Sequence, residues 1–254
     1  MKKILLAWAA ILSTALYSQH DLVAGVNNNE ALTYTLDEIV VSNHEDILLG
    51  ELDAKSKKGR ALDANSKIAC YFENAFTDGK GQLKILYFKV QKVKFKTEAH
   101  IRLYTKKDYV QEIYPAGSDT VNSFNSFIPG NAIAAGDIVV TLQPGQKGII
   151  EVDLSGYDIA MPAEGLFVSL ENIHYFDADG KCITYLKPKE KTWVDFHPTA
   201  NDNYCDWINP QGTDSWFWIN TNKMIKNDFK TVFKKEPSKK ILTAPNFGLK
   251  VSRG

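Results

Sequence analysis

Beyond its first dozen residues the chain has no long apolar run, no excess of either charge and only three cysteines, and each lack excludes something. A helix needs about 20 apolar residues to cross a bilayer, and no segment after Leu12 supplies them. Acidic and basic residues balance at 30 each. Nucleic acid is therefore not expected as a partner, because phosphate binding needs a concentrated positive field. The nucleophile motifs GxSxG, SxxK and CxxC are missing as well. No catalytic residue, resident metal or cofactor is expected from motifs.

What is present begins with an export signature. Met1-Lys2-Lys3 is followed by an apolar run from Ile4 to Leu12 and by small residues at Ser13 and Ala15. A basic start, a short apolar stretch and a small-residue exit describe a secretory leader, taken as residues 1–18, with cleavage between Ala15 and Gln19. Loss of Lys2 and Lys3 leaves 28 basic against 30 acidic residues, a net charge of −2. The expected location is therefore periplasm, cell surface or medium. Three cysteines in such a compartment permit one disulfide. Cys182 with Cys205 is the preferred pair, and three unpaired buried thiols are the alternative.

Residues 19–59 lack a sustained apolar pattern and read as an extension or tether, with Leu36–Ser42 its one β-like piece. From residue 60 to 254 strand signals are dense. Ile68–Phe72, Asp137–Leu142, Ile149–Leu154, Gly165–Ile173, Cys182–Leu186, Trp216–Ile219 and Phe247–Val251 are β-prone and separated by Gly, Pro, Asn and Asp. Leu83–Thr97 reads as one long strand whose apolar phase slips at Gln91-Lys92, where a bulge or bend would restore a single buried face. Ile225, Phe229, Val232 and Phe233 are spaced roughly as a helix face, or else belong to strand and loop. Strands at these intervals predict an all-β, jelly-roll-like β-sandwich.

The run Ile149-Ile150-Glu151-Val152-Asp153-Leu154-Ser155-Gly156-Tyr157-Asp158-Ile159, with Pro162 and Gly165–Glu171, resembles a largely uncharacterised group of exported proteins of Gram-negative bacteria. His100–Tyr104 shares in the likeness. Many of that group carry a carboxypeptidase-like regulatory domain, a small non-peptidase β-sandwich, followed by a jelly-roll-like β domain. The resemblance implies that residues 60–254 are the jelly roll and supplies no catalytic residues. Leu36–Ser42 also resembles the segment that follows such a regulatory domain, and the TonB box of outer-membrane receptors. Too few residues precede it for a complete regulatory domain.

Other fragments fail as chemistry. His44-Glu45 opens like a zinc-protease HExxH, but Leu48 stands where the second imidazole is needed. Gly79-Lys80-Gly81 starts like a dinucleotide loop, but Lys84 replaces its last glycine. Asp177-Ala178-Asp179-Gly180 opens like a calcium loop but continues as strand, so a hairpin turn is the better reading. Aromatics gather late, at Trp193, Tyr204, Trp207, Trp216 and Trp218. Flat indole and phenol faces receive the C–H bonds of a pyranose, so these five are the candidate ligand-binding residues; core burial is the competing reading. Trp216 and Trp218 would share one strand face. The expectation is a non-catalytic envelope binding or accessory module for carbohydrate or another envelope protein. A secreted hydrolase with scattered carboxylates and a structural envelope component are the alternatives.

Overall fold

The computed structural model describes residues 46–52, 58–76, 81–113, 121–133, 138–209, 213–238 and 240–253. The expected leader, Leu36–Ser42, the His44-Glu45 pair and Gly79-Lys80 lie outside them. In chain order the strands are β1 (Asp46–Gly50), β2 (Lys58–Ala61), β3 (Ile68–Phe72), β4 (Gly81–Val90) and β5 (Lys96–Ile113). Next come β6 (Asn122–Ala132), β7 (Ile138–Leu142), β8 (Gly148–Asp153), β9 (Ala160–Met161) and β10 (Leu166–Phe176). The last are β11 (Trp193–Pro198), β12 (Tyr204–Ile208), β13 (Phe217–Asn220), β14 (Thr243–Pro245) and β15 (Phe247–Arg253), with one helix, α1 (Thr221–Thr231), after β13.

All strand pairs are antiparallel. The first sheet contains β1-β15-β4-β8 and the second β3-β10-β5-β7. Counting these eight strands along the chain, the orders are first–eighth–third–sixth and second–seventh–fourth–fifth. Those are two interleaved Greek keys, the jelly-roll arrangement. β2, β9, β11 and β14 extend the first sheet, and β6, β12 and β13 the second.

Alternation along each strand builds the core. Ile68, Cys70 and Phe72 of β3, Leu166, Val168 and Leu170 of β10, and Ile101 and Leu103 of β5 point between the sheets. Leu86, Phe88, Val194, Phe247 and Leu249 meet them from the first sheet. Burying each such side chain contributes roughly 1.5–3 kcal/mol. Gly165 turns the chain into β10 at φ +83°, and a Cβ there would lie 2.2 Å from the Phe72 carbonyl oxygen.

The second sheet is covered on its far side too. Ala69, Ile128, Phe167, Cys205 and Trp218 form a smaller apolar cluster there, flanked by Tyr71, Tyr104, Phe127 and Trp207. Phe127 of β6 lies 5.2 Å from the Tyr71 ring and 6.0 Å from that of Phe167. Its carbonyl accepts from Asn220 Nδ2 at 3.5 Å and Cys205 Sγ at 3.7 Å, so β6 and the β12–β13 hairpin bend toward each other. A strand covered on both faces reads as continuous apolar sequence, which accounts for the run Leu166-Phe167-Val168.

The structure alters three expectations and decides a fourth. The sandwich begins by Asp46, not residue 60, because β1 pairs along β15. The phase slip at Gln91-Lys92 is where the chain leaves β4 of one sheet for β5 of the other. Cys182–Leu186 makes only a single bridge, Cys182 to Phe176. Ile225 and Phe229 do belong to a helix, α1, whose Phe229 ring is 5.0 Å from that of Phe233 one turn on.

Candidate ligand-binding site

The β12–β13 hairpin sets Trp207 directly opposite Trp218, and cross-strand neighbours on one face must touch. Their ring centroids are 5.4 Å apart, edge to face. Trp216 precedes Trp218 by two residues and falls on the same side, as the spacing predicts. Its ring lies parallel to Trp207, 9° between planes and 6.4 Å between centroids. Trp218 is 8% exposed, whereas Trp216 is 38% exposed. The inner indole is anchored by packing and the outer one stays partly open to solvent.

Beside the indoles, β3, β10 and β5 assemble a polar network on the same side of the sheet. Glu171 of β10 is buried. Its carboxylate accepts from Arg102 Nε at 2.9 Å and lies 3.2 Å from Lys67 Nζ. The Tyr104 hydroxyl reaches both carboxylate oxygens, at 3.2 and 3.0 Å, and Ser169 Oγ reaches one at 3.4 Å. Burying a carboxylate is costly unless it is paired and hydrogen-bonded; this one has four partners. Burial, then the Glu171 charge, pushes the Tyr104 phenol well above its ordinary value, so it stays a donor. Its ring meets Trp218 edge-on at 6.0 Å.

Lys67 links the network to the indoles. Its ammonium sits 5.2 Å from the Trp207 ring centroid, within cation–π range, and the Trp207 amide donates to the Lys67 carbonyl at 3.1 Å. The β10–β5 register then shifts between Glu171 and His174, and Asn172 adopts φ +50°. That bulge is where an extra residue turns outward. Asn172, Asn65, Lys67, Trp207, Trp216 and Ala64 line a hollow of about 250 Å³. A flat aromatic face, two amides and an ammonium can stack on a ring and hydrogen-bond its substituents.

Two of the five candidate aromatics lie elsewhere. Tyr204 faces between the sheets, opposite to Trp207 in the strand alternation, and is 3% exposed. Its hydroxyl donates to Asp206 Oδ2 at 2.5 Å and accepts from Arg60 at 2.6 Å. Trp193 is in the first sheet, half-buried, with Nε1 donating to the Pro188 carbonyl at 3.0 Å. The proposed Cys182–Cys205 disulfide is likewise corrected: all three thiols are free. Cys205 is buried under β6, and Cys182 is exposed on the surface turn after β10. Lys67, Arg102, Tyr104, Glu171 and Asn172 were missed by sequence reasoning. Glu171, the one acid in the largely apolar β10, was the available signal.

The remaining polar clusters suit other roles. Asp177 Oδ1 accepts from the amides of Asp179 and Lys181, at 3.0 and 2.8 Å, which fixes the turn at Gly180. Among the described residues no three His, Cys, Asp or Glu side chains gather as metal ligands. On the outer first sheet, Asp46, Glu151 and Asp153 border a trough of about 420 Å³. Two-carboxylate hydrolysis requires one carboxyl kept protonated. Asp153 is instead held below the usual range by the Ser155 amide, and Asp46 is paired with Lys250 at 2.5 Å. The buried His197 lies 2.6 Å from Glu51 through Nε2, and its Nδ1 meets no hydroxyl or thiol among the described residues.

No helix among the described residues is long and apolar enough to cross a membrane. No family model matches the sequence, and no curated protein does. Among solved structures the chain is similar to the cysteine protease and lectin-like domains of Cwp84, a surface-layer-associated protein of Clostridium difficile. Identity is 10% and the TM-score 0.38, over 74% of this chain and 32% of that one. The fold assignment rests on the strand order above.

Proposed function

We propose that this chain is an exported, non-catalytic binding module of the cell envelope that takes carbohydrate on the Trp207–Trp216 face of its jelly roll. The carrying observation is the exposed Trp216 ring, parallel to Trp207 and bordered by Asn65 and Asn172. An indole face covers the apolar side of a pyranose, and side-chain amides meet its hydroxyls from the rim. The scaffold is rigid where it must be: Trp207 is held by Trp218 from the side and Lys67 from above. The leader-like start of the chain supports export, and the segment 149–171 supports kinship with the exported jelly-roll proteins it resembles.

A glycan array probed with the full chain and with Trp216→Ala tests this. Binding is expected in the parent, with a loss of about 30-fold or more in the variant, as for a central aromatic anchor, and with thermal unfolding unchanged. Equal binding by both removes the platform from the account. Capture of an envelope protein in place of any glycan replaces this reading with a protein-docking one.

A further inference from the structure

We infer that the sugar taken by the Trp216 platform is acidic, a uronate-type pyranose whose carboxylate is met by the Lys67 ammonium. This rests on the platform reading above and adds the charge of the ligand to it. Three observations carry it.

Lys67 is the one charged side chain among the residues lining the hollow, where the other polar side chains are neutral amides and indoles. The one formal charge on the wall that a ligand meets beside Trp216 is therefore positive. An anion bound there has no lining carboxylate to repel it.

The ammonium also has capacity to spare. It has three N–H donors; one faces Glu171 Oε2 at 3.2 Å, and the group lies over Trp207. Its side chain is 29% exposed, on the hollow side of a carboxylate that is itself shut off from solvent. A ligand carboxylate can reach Lys67 without displacing Glu171.

Finally, Glu171 does not depend on Lys67. Arg102, Tyr104 and Ser169 hold both of its oxygens by themselves. Lys67 can shift toward a ligand while the buried charge stays compensated. Glu171 thus acts as a positioning residue that keeps the ammonium beside the indole in the unliganded protein. This removes part of the ordering cost that a free lysine would meet on binding.

Calorimetric titration of the full chain with paired probes tests the inference. The probes are a galacturonate oligosaccharide, its carboxyl-reduced neutral counterpart and a sulfated galactan fragment. The expected result is at least a tenfold preference for the uronate over the neutral sugar, about 1.4 kcal/mol. That preference, read as the ratio of uronate to neutral-sugar affinity, should shrink as salt rises, vanish in Lys67→Met and persist in Lys67→Arg. Equal affinity for acidic and neutral sugars, both lost in Trp216→Ala, overturns the acidic ligand and leaves the platform standing. Binding of the sulfated fragment without the uronate overturns the carboxylate assignment. No binding of any probe removes both readings together. Thermal unfolding of each variant separates lost contact from lost fold.

Discussion

At the scale of single residues, Glu171 is the most deeply buried carboxylate among the described residues. A carboxylate withdrawn from water is tolerable only while its partners remain. Its truncation strands the Tyr104 hydroxyl and leaves Arg102 and Lys67 without their common anion. Both cations reach solvent, so the loss is smaller than for a fully buried pair. Glu171→Ala should destabilise the protein by about 2 kcal/mol, read as a lower urea midpoint with an unchanged slope. No change would mean that the network contributes nothing to folding. The thiols give a second prediction. Burial raises the Cys70 and Cys205 thiols far above the ordinary value, while Cys182 is exposed. A thiolate-selective reagent should therefore label one cysteine in the native protein and all three on unfolding. Labelling of none in the native state would instead indicate that Cys182 is covered or bonded.

At the scale of elements, the junction of β13 with α1 holds the site's outer wall in place. Asn220 is fully buried and caps the helix, its side-chain oxygen accepting from the Lys223 amide at 3.1 Å. Its Nδ2 donates to the Asp202 carbonyl at 2.6 Å and to Phe127 of β6. One side chain thus ties the hairpin bearing Trp218 to a helix and to the far edge of the sheet. Asn220→Ala should cost about 2 kcal/mol, from the lost cap and the unmet Asp202 carbonyl. Amide exchange should rise first in α1 and β13; protection left intact there would contradict this role. These elements differed in how far the sequence disclosed them. β3, β7, β8, β10 and β15 were legible because each buries alternate or continuous apolar residues between layers. β1 was not, because its Leu48 faces solvent and blurs the alternation. Cys182–Leu186 has strand composition but meets β10 only at the Cys182–Phe176 bridge, and composition cannot show how far a pairing runs.

At the scale of the whole molecule, two layers of antiparallel strand bury the main core, and the curl of the second sheet encloses a smaller one. Several phenols are buried wholly or in part by these layers. Burial and neighbouring acids raise Tyr104 and Tyr204, and burial pushes Tyr175 up to about 12. The unfolded chain releases these protons near pH 10 while the folded chain keeps them, so folding loses stability as pH rises above that value. Below it the contribution is fully present. Urea midpoints should hold steady from pH 7 to 9 and fall steeply beyond about pH 10; a flat profile through pH 11 would show that the phenols are not sealed. The site itself is a product of this scale. The spacing of Trp216 and Trp218 was readable, but Lys67, Arg102 and Glu171 come from three different parts of the chain, and only the strand order makes them neighbours.

The most direct test of the account is the set of indole N–H resonances in the nitrogen-15 spectrum during titration with a bound glycan. The Trp216 and Trp207 signals should move together with the ligand while Trp193, in the other sheet, stays fixed. Movement of Trp193 alone, or of no indole at all under conditions where the glycan binds, would place the ligand elsewhere and contradict it.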